Sequence, residues 1–285
     1  WGRATTVAQM RAGWDELFGS APGDAAVTPA TLGGVPGEWV SAENADPTRV
    51  VLYFHGGGFQ VGSPRSHREL MAGISRAGAC RVFGVDYRLA PEHRYPAALQ
   101  DACAAYDGLL AEGHAPGSIV FAGDSAGGNL VLAALLTLRE AGRELPAGAV
   151  LMSAWTDMSA SGESYETRAQ SDPIHQRTMI LAMARNYLGS AVDARQPRVS
   201  PLFADLHGLP PLLVQVGDRE TVLSDSVDFA AKAQAAGVPV NLQIGDGMIH
   251  VFQQFPELPQ ALAAREAIGA FVRTHCQTSL ITGKP

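Results

Sequence analysis

Apolar residues along this chain gather in short unbroken runs rather than in strict alternation with polar ones. Six such runs are "RVVLYFH" (49–55), "CRVFGVDY" (80–87), "SIVFAGD" (118–124), "GAVLMSA" (148–154), "PPLLVQVG" (210–217) and "VPVNLQI" (238–244). Their length and their wealth of Val, Ile, Leu and Phe predict strands buried on both faces. Between them, helical spacing predicts helices near 66–78, 96–112, 126–141, 222–236 and 258–275. Strands alternating with helices predict an α/β fold, a mostly parallel central sheet with helices on both faces. Two regions break the rhythm. Residues 1–30 hold a helix-like "TVAQMRAGWDEL" before any strand, and residues 155–205 form a long polar, partly helical insertion. Both are expected to cap one end of the sheet, within one domain spanning 1–285.

Open α/β sheets bind ligands at the carboxyl ends of their strands, so the residues that leave each run matter most. In "FAGDSAGGNL" (121–130), Ser125 sits in the turn between a strand and a helix, with Gly123 two before it and Gly127 two after. Glycines there permit a strand–helix elbow too tight for ordinary side chains, and the elbow projects the residue at its apex. The following helix aims free N–H groups, Ala126 among them, at whatever Ser125 holds. GxSxG alone arises easily by chance, and an N-capping serine in a tight turn is the plain alternative. A second feature outweighs that alternative. "YFHGGGF" (53–59) ends another strand in three glycines, whose bare backbone can approach a reacting carbonyl and donate N–H bonds to the oxyanion that forms. His55 is read as a brace for this loop rather than a proton carrier.

Composition narrows the partners. With 285 residues, 46% hydrophobic and 17% charged, the chain has the make-up of a globular protein with a large core. A net charge of -7 argues against a nucleic-acid partner. No apolar run reaches membrane-spanning length, the N-terminal stretch is not signal-like, and Trp1 leaves the true start open. Cys80, Cys103 and Cys276 are far apart and odd in number, as expected of incidental thiols in a cytoplasmic protein. No His/Cys/Asp/Glu spacing suits a metal, and the glycine-rich loop lacks the lysine of a phosphate-binding loop.

The stretches "HGGGF", "GSPRSH" (62–67), "DYRLAPEHRYPAAL" (86–99), "GDSAGGNL" (123–130), "DLHGLPPLLVQVGDRE" (205–220) and "MIHVFQQF" (248–255) carry a resemblance. Together, from about residue 31 to 275, they resemble a bacterial member of the hormone-sensitive-lipase-like family of α/β-hydrolase esterases. The resemblance implies the α/β-hydrolase fold with a helical cap, Ser125 as nucleophile and His250 as general base. It also implies an oxyanion hole from the backbones of Gly57, Gly58 and Ala126, a small-molecule ester substrate, and no cofactor. It leaves open a homodimer through the last strand, near 238–244.

A serine hydroxyl needs a base and an orienting acid, which in this fold follow in the order Ser, Asp or Glu, His. Of eight histidines, His250 follows the last strand, at the same end of the sheet as Ser125. His67, His93, His114, His175, His207 and His275 sit in polar or helical surroundings, where solvent exposure is expected. For the acid, Asp218, Glu220 and Asp225 follow the strand "PLLVQVG". The family more often carries Asp in a D-P-L-like run; sliding "ETVLSDS" along that run puts Glu220 in register, with Asp218 second. Asp86, Arg88 and Glu92 are read as an ion-pair network bracing the oxyanion loop. The expected reaction is hydrolysis of short- to medium-chain carboxylic esters through an acyl-enzyme. Two alternatives are a hydrolase of amides or long-chain lipids, and a non-catalytic binder on the same scaffold; the presence of His250 disfavours the binder.

Overall fold

The computed structural model describes residues 5–19 and 22–276. Among them, the strands are β1 (Ala26–Leu32), β2 (Val35–Ser41), β3 (Asp46–Phe54), β4 (Cys80–Val85), β5 (Ile119–Asp124), β6 (Gly148–Met152), β7 (Leu212–Gly217) and β8 (Val240–Gly245). The helices are α1 (Val7–Phe18), α2 (Arg68–Gly78), α3 (Ala97–Ala111), α4 (Ala126–Glu140), α5 (Ser164–Thr167), α6 (Arg177–Leu188), α7 (Leu223–Ala235) and α8 (Pro259–His275). The strands form one sheet in the order β1-β2-β4-β3-β5-β6-β7-β8. β1 and β2 pair antiparallel, β2 runs antiparallel to β4, and every other neighbouring pair is parallel.

Burial explains why the central runs lack alternation. Every residue of β5, β6 and β7 is buried. Successive side chains still point to opposite faces. Leu52, Phe54, Ile119, Phe121, Ala149 and Leu151 enter one core with α3, α4 and α7. Val51, Tyr53, Val120, Ala122, Val150 and Met152 enter a second core with α2 and α8. Both faces are therefore apolar. This is an α/β-hydrolase fold.

The N-terminal region departs from expectation. Residues 26–30, read as part of a cap, belong to β1, and β2 was not anticipated. β1 contains Pro29 and β2 contains Pro36 and Gly37, residues that argue against strands except near a sheet edge, which is where these lie. The overlooked signal is the two-residue Gly33–Gly34 link, both at positive φ, that closes the hairpin at the Leu32–Val35 pair. The start of the 155–205 insertion is likewise not a roof: Trp155, Thr156, Asp157 and Met158 are buried in the body of the domain. Residues of α1 and α6 line a cavity together with Ser125. α1 opens with a capping box between Thr6 and Gln9.

Candidate active site

Ser125 lies between the end of β5 and the first turn of α4, with φ 52° and ψ -117°. A non-glycine residue in that region is strained and persists only where its surroundings hold it. Here β6 and the segment after it hold it: the Ser125 N–H donates to the Met152 carbonyl at 2.9 Å, and its own carbonyl accepts from Trp155 N–H at 3.1 Å. The flanking glycine is sterically required, since a Cβ on Gly127 would overlap the carbonyl oxygen of Phe54 in β3. The elbow thus exists because two backbones touch where a side chain cannot fit.

The loop after β3 runs beside it. Gly57 has φ 113°, and a Cβ there would collide with the Val61 carbonyl. Among the described residues, the N–H groups of Gly57, Gly58 and Ala126 donate to no other protein atom. They remain available to a ligand. Beneath them lies a buried polar cluster. Asp124 Oδ1 accepts from the Tyr53 hydroxyl at 2.6 Å and from the Gly56 N–H at 3.0 Å, and His67 Nε2 stands 3.5 Å away. Burial pushes the Asp124 carboxyl up, but the electrostatic influence of the nearby His67 ring and the Tyr53 hydrogen bond outweigh it, so its pKa falls below the ordinary value. His55 stacks on Tyr87 with ring centroids 4.3 Å apart, and its Nδ1–H donates to the Gly56 carbonyl at 2.7 Å. Burial drives the His55 pKa down to about 3, so it serves as a neutral brace.

Glu220 and His250 meet at the same end of the sheet. Glu220 follows β7, His250 follows β8, and His250 Nδ1–H donates to Glu220 Oε2 at 2.8 Å. Glu220 is fully buried, and its other oxygen accepts from the Ser153 hydroxyl at 2.7 Å and the Gly217 N–H at 2.5 Å. Burial alone would lower the His250 pKa; the hydrogen bond and charge of Glu220 reverse the sign and raise it. Its Nε2 is buried without a partner. Among the described residues the Asp218 carboxylate makes no hydrogen bond or ion pair with His250, its Oδ1 being buried without a partner, and Asp225 Oδ2 accepts from the N–H groups of Thr156 and Asp157. Of these carboxylates, Glu220 is the one that reaches His250.

Ser125, His250, Gly57 and Gly58 line one cavity of about 620 Å³. Its remaining wall is largely apolar: Met10, Trp14 and Phe18 of α1, and Met179, Ala182 and Met183 of α6. Such a space suits a small apolar molecule with a few polar anchor points at one end.

Three features differ from the sequence reading. His67 and His175, expected in solvent, are both buried, His67 against Asp124 and His175 against His250. Asp86, Arg88 and Glu92 do not form one network: Arg88 pairs with Asp101 at 2.8 Å and Glu92 with Arg11 at 2.7 Å. The third is Ser153, which nothing in the sequence marks. Its hydroxyl donates to Glu220 and accepts the Val251 N–H at 3.0 Å, tying Glu220 to the loop that carries His250. A lone serine after a strand gives no signal for that; only the fold brings it there. Among the described residues, no group of three or more His, Cys, Asp or Glu could hold a metal ion. No helix among them is long and apolar enough to cross a membrane.

Comparison with known proteins places the chain among esterases. A family model described as "alpha/beta hydrolase fold" matches residues 51–254. An acetyl-hydrolase of Streptomyces hygroscopicus is 42% identical over 263 residues, covering 91% of this chain and 86% of that protein. Among solved structures, an esterase from the bacterial hormone-sensitive lipase family is 45% identical with a TM-score of 0.94, over 97% of this chain and 94% of that one. The structure of EstE5 soaked with p-nitrophenyl butyrate is 43% identical with a TM-score of 0.92, over 96% and 92% of the two chains.

Proposed function

The chain belongs to the α/β-hydrolase family and is a carboxylic ester hydrolase; from that premise we propose how it works. Ser125 is the nucleophile, His250 the general base, and Glu220 the acid that orients it. Ser125 attacks the ester carbonyl while His250 Nε2 takes its proton. The N–H groups of Gly57, Gly58 and Ala126 hold the tetrahedral oxyanion. His250 then gives the proton to the departing alcohol, leaving an acyl-enzyme. Water, deprotonated by the same histidine, attacks that ester and releases the acid. Glu220 fixes the tautomer with the proton on Nδ1 and stabilises the imidazolium, without taking the proton itself.

The observation that carries this assignment is the 2.8 Å bond from His250 to a fully buried Glu220, beside a cavity that also contains the strained Ser125. We further propose short- and medium-chain acyl esters as substrates, up to roughly eight acyl carbons, because a finite apolar cavity rewards each methylene only until it is full. The acetyl-hydrolase relative and the butyrate ester soaked into EstE5 support the short end of that range. The test is covalent labelling. An organophosphonate ester should add one phosphonyl group to the protein, mapped by peptide mass spectrometry to Ser125, with parallel loss of p-nitrophenyl butyrate turnover. Label on another residue, or full turnover after stoichiometric labelling, would refute the assignment.

A further inference from the structure

The mechanism leaves the buried His175 without a task. His175 lies in the insertion, between α5 and α6, and only 8% of its surface is exposed. Its ring stands 4.2 Å from that of His250, centroid to centroid, at 87°. One carboxylate fixes that placement. Asp172 Oδ1 accepts the N–H groups of Ile174 (2.8 Å) and His175 (3.0 Å). Its Oδ2 accepts the N–H (2.8 Å) and the hydroxyl (3.0 Å) of Thr221, the residue after Glu220. Asp172 therefore clamps the segment carrying His175 to the segment carrying Glu220.

We infer that His175 is a positioning residue for the acid–base pair: its ring, clamped through Asp172, holds the His250 ring against Glu220 and closes that pair to water. This deepens the function proposed above and rests on it. The physical need is clear. His250 is attached to Glu220 through one nitrogen, while the other must stay aimed at Ser125 and then at the leaving oxygen. A misplacement of about 1 Å in such a geometry can cost on the order of 100-fold in rate. Ser153 restrains the backbone from one side, through the Val251 N–H. His175 restrains the ring itself, from the cap. Burial and the facing His250 press the His175 pKa down to about 3, against the Asp172 charge, so the ring acts as a neutral wall and not as a second base. Its Nδ1 is buried and unpartnered, in keeping with a role set by shape.

The test compares His175→Ala with His175→Phe, which keeps a flat ring and drops both nitrogens. His175→Ala should lower kcat for p-nitrophenyl butyrate roughly 10- to 100-fold with KM within a few-fold, and His175→Phe should recover most of that loss. Proton NMR gives a readout independent of turnover. The low-field Nδ1 proton of His250 should be visible in wild type and His175→Phe, and lost to solvent exchange in His175→Ala. Should His175→Ala fail to fold, His175→Leu fills the volume without a flat ring and should match the alanine prediction. Asp172→Asn, acting one step away, should change kcat in the same direction. Unchanged kcat in His175→Ala, a loss confined to KM, or equal damage in the Phe and Ala variants would overturn the inference. Failure of the underlying reading looks different: the organophosphonate would label a residue other than Ser125, whatever the His175 variants and the NMR signal show.

Discussion

The strand ends and the cap are built by opposite means. At the strand ends, backbone sterics and buried hydrogen bonds fix the surroundings of Ser125: a Cβ on Gly127 has no room, and Asp124 and Glu220 each accept from at least two donors. In the cap, α1 buries none of its residues and is held by side chains such as Arg11 and Asp15 reaching down to the loop after β3. Rigid scaffolds hold reacting atoms better than exposed segments do, while exposed segments tolerate change. The difference separates two tasks. The His175 clamp apart, chemistry should depend on the strand ends, and the choice of acyl chain on the cavity wall formed by α1 and α6.

The sharpest way to break that separation is at Ser125, the proposed nucleophile. Ser125→Ala should lower kcat by about 10⁴ to 10⁶ with the fold intact, as triad deletions do in other serine hydrolases. Ester turnover by folded Ser125→Ala at a tenth of the wild-type rate would end the assignment. Next comes the acid. Glu220→Gln should cost about 10³- to 10⁴-fold, because an amide can stabilise the wrong tautomer of His250. Asp218→Asn, whose side chain does not meet His250, should stay within a few-fold. The reverse ranking would transfer the role to Asp218.

Those two positions also mark how far the sequence could be read. The elbow and the glycine loop were legible because their chemistry needs unusual backbone, and unusual backbone leaves glycines in fixed places around Ser125 and Gly57. The central strands were legible because burial on both faces removes polar residues from the run. Glu220 stood beside Asp218 with equal local merit, and register within a resemblance ranked them; three-dimensional contact separates them. Ser153 and His175 were illegible for a stricter reason. Each acts across the fold, 67 residues from Glu220 in one case, and nothing local distinguishes a serine or histidine that will meet a distant partner. The β1–β2 hairpin failed differently: its prolines hid strands that the Gly33–Gly34 link announced.

The pH profile sharpens the same comparison from the chemical side. His250 must be neutral to accept the Ser125 proton, so kcat/KM should rise with pH through the His250 pKa and then level off. Glu220 raises that pKa, so the midpoint should lie above the ordinary histidine value, with about a tenfold loss per pH unit on the acid side. Removing the negative charge reverses the sign: in the residual activity of Glu220→Gln, the midpoint should move to lower pH. A midpoint that stays put would show that Glu220 does not govern the base.

Chain length probes the cap. Across p-nitrophenyl esters from two to sixteen carbons, kcat/KM should peak at or below about eight and then fall roughly 10- to 100-fold, as the cavity of about 620 Å³ fills. Leu17, Ile174 and Met179 do place exposed apolar surface near the mouth, which the polar look of the insertion concealed. It is a rim rather than a broad face, and rate should follow dissolved ester without a jump on emulsification. A maximum at the long end, or such a jump, would make this a lipase.

The smallest effect expected is at Arg11, and it tests whether the cap truly acts apart from the chemistry. Arg11 donates from Nε to the Gln60 carbonyl at 2.8 Å and from its terminal nitrogen to the Ala90 carbonyl at 2.9 Å, besides pairing with Glu92. The Glu92 pair is half-exposed and contributes little; the two carbonyl bonds are what seat α1. Gln60 in turn accepts from Asn186 of α6 at 2.7 Å, so one anchor joins both cap helices to the loop that follows Gly57 and Gly58. Arg11→Ala should loosen α1, and with it the wall formed by Met10, Trp14 and Phe18. A loosened wall removes apolar contact from the far end of an acyl chain and leaves the carbonyl end alone. KM for the octanoyl ester should therefore rise about 3- to 10-fold, while kcat for the acetyl ester stays within twofold of wild type. Steady-state kinetics on the two esters suffice. If acetyl turnover falls as far as octanoyl turnover, the Gln60 link carries strain into the loop of Gly57 and Gly58, and α1 and the strand ends are one machine rather than two.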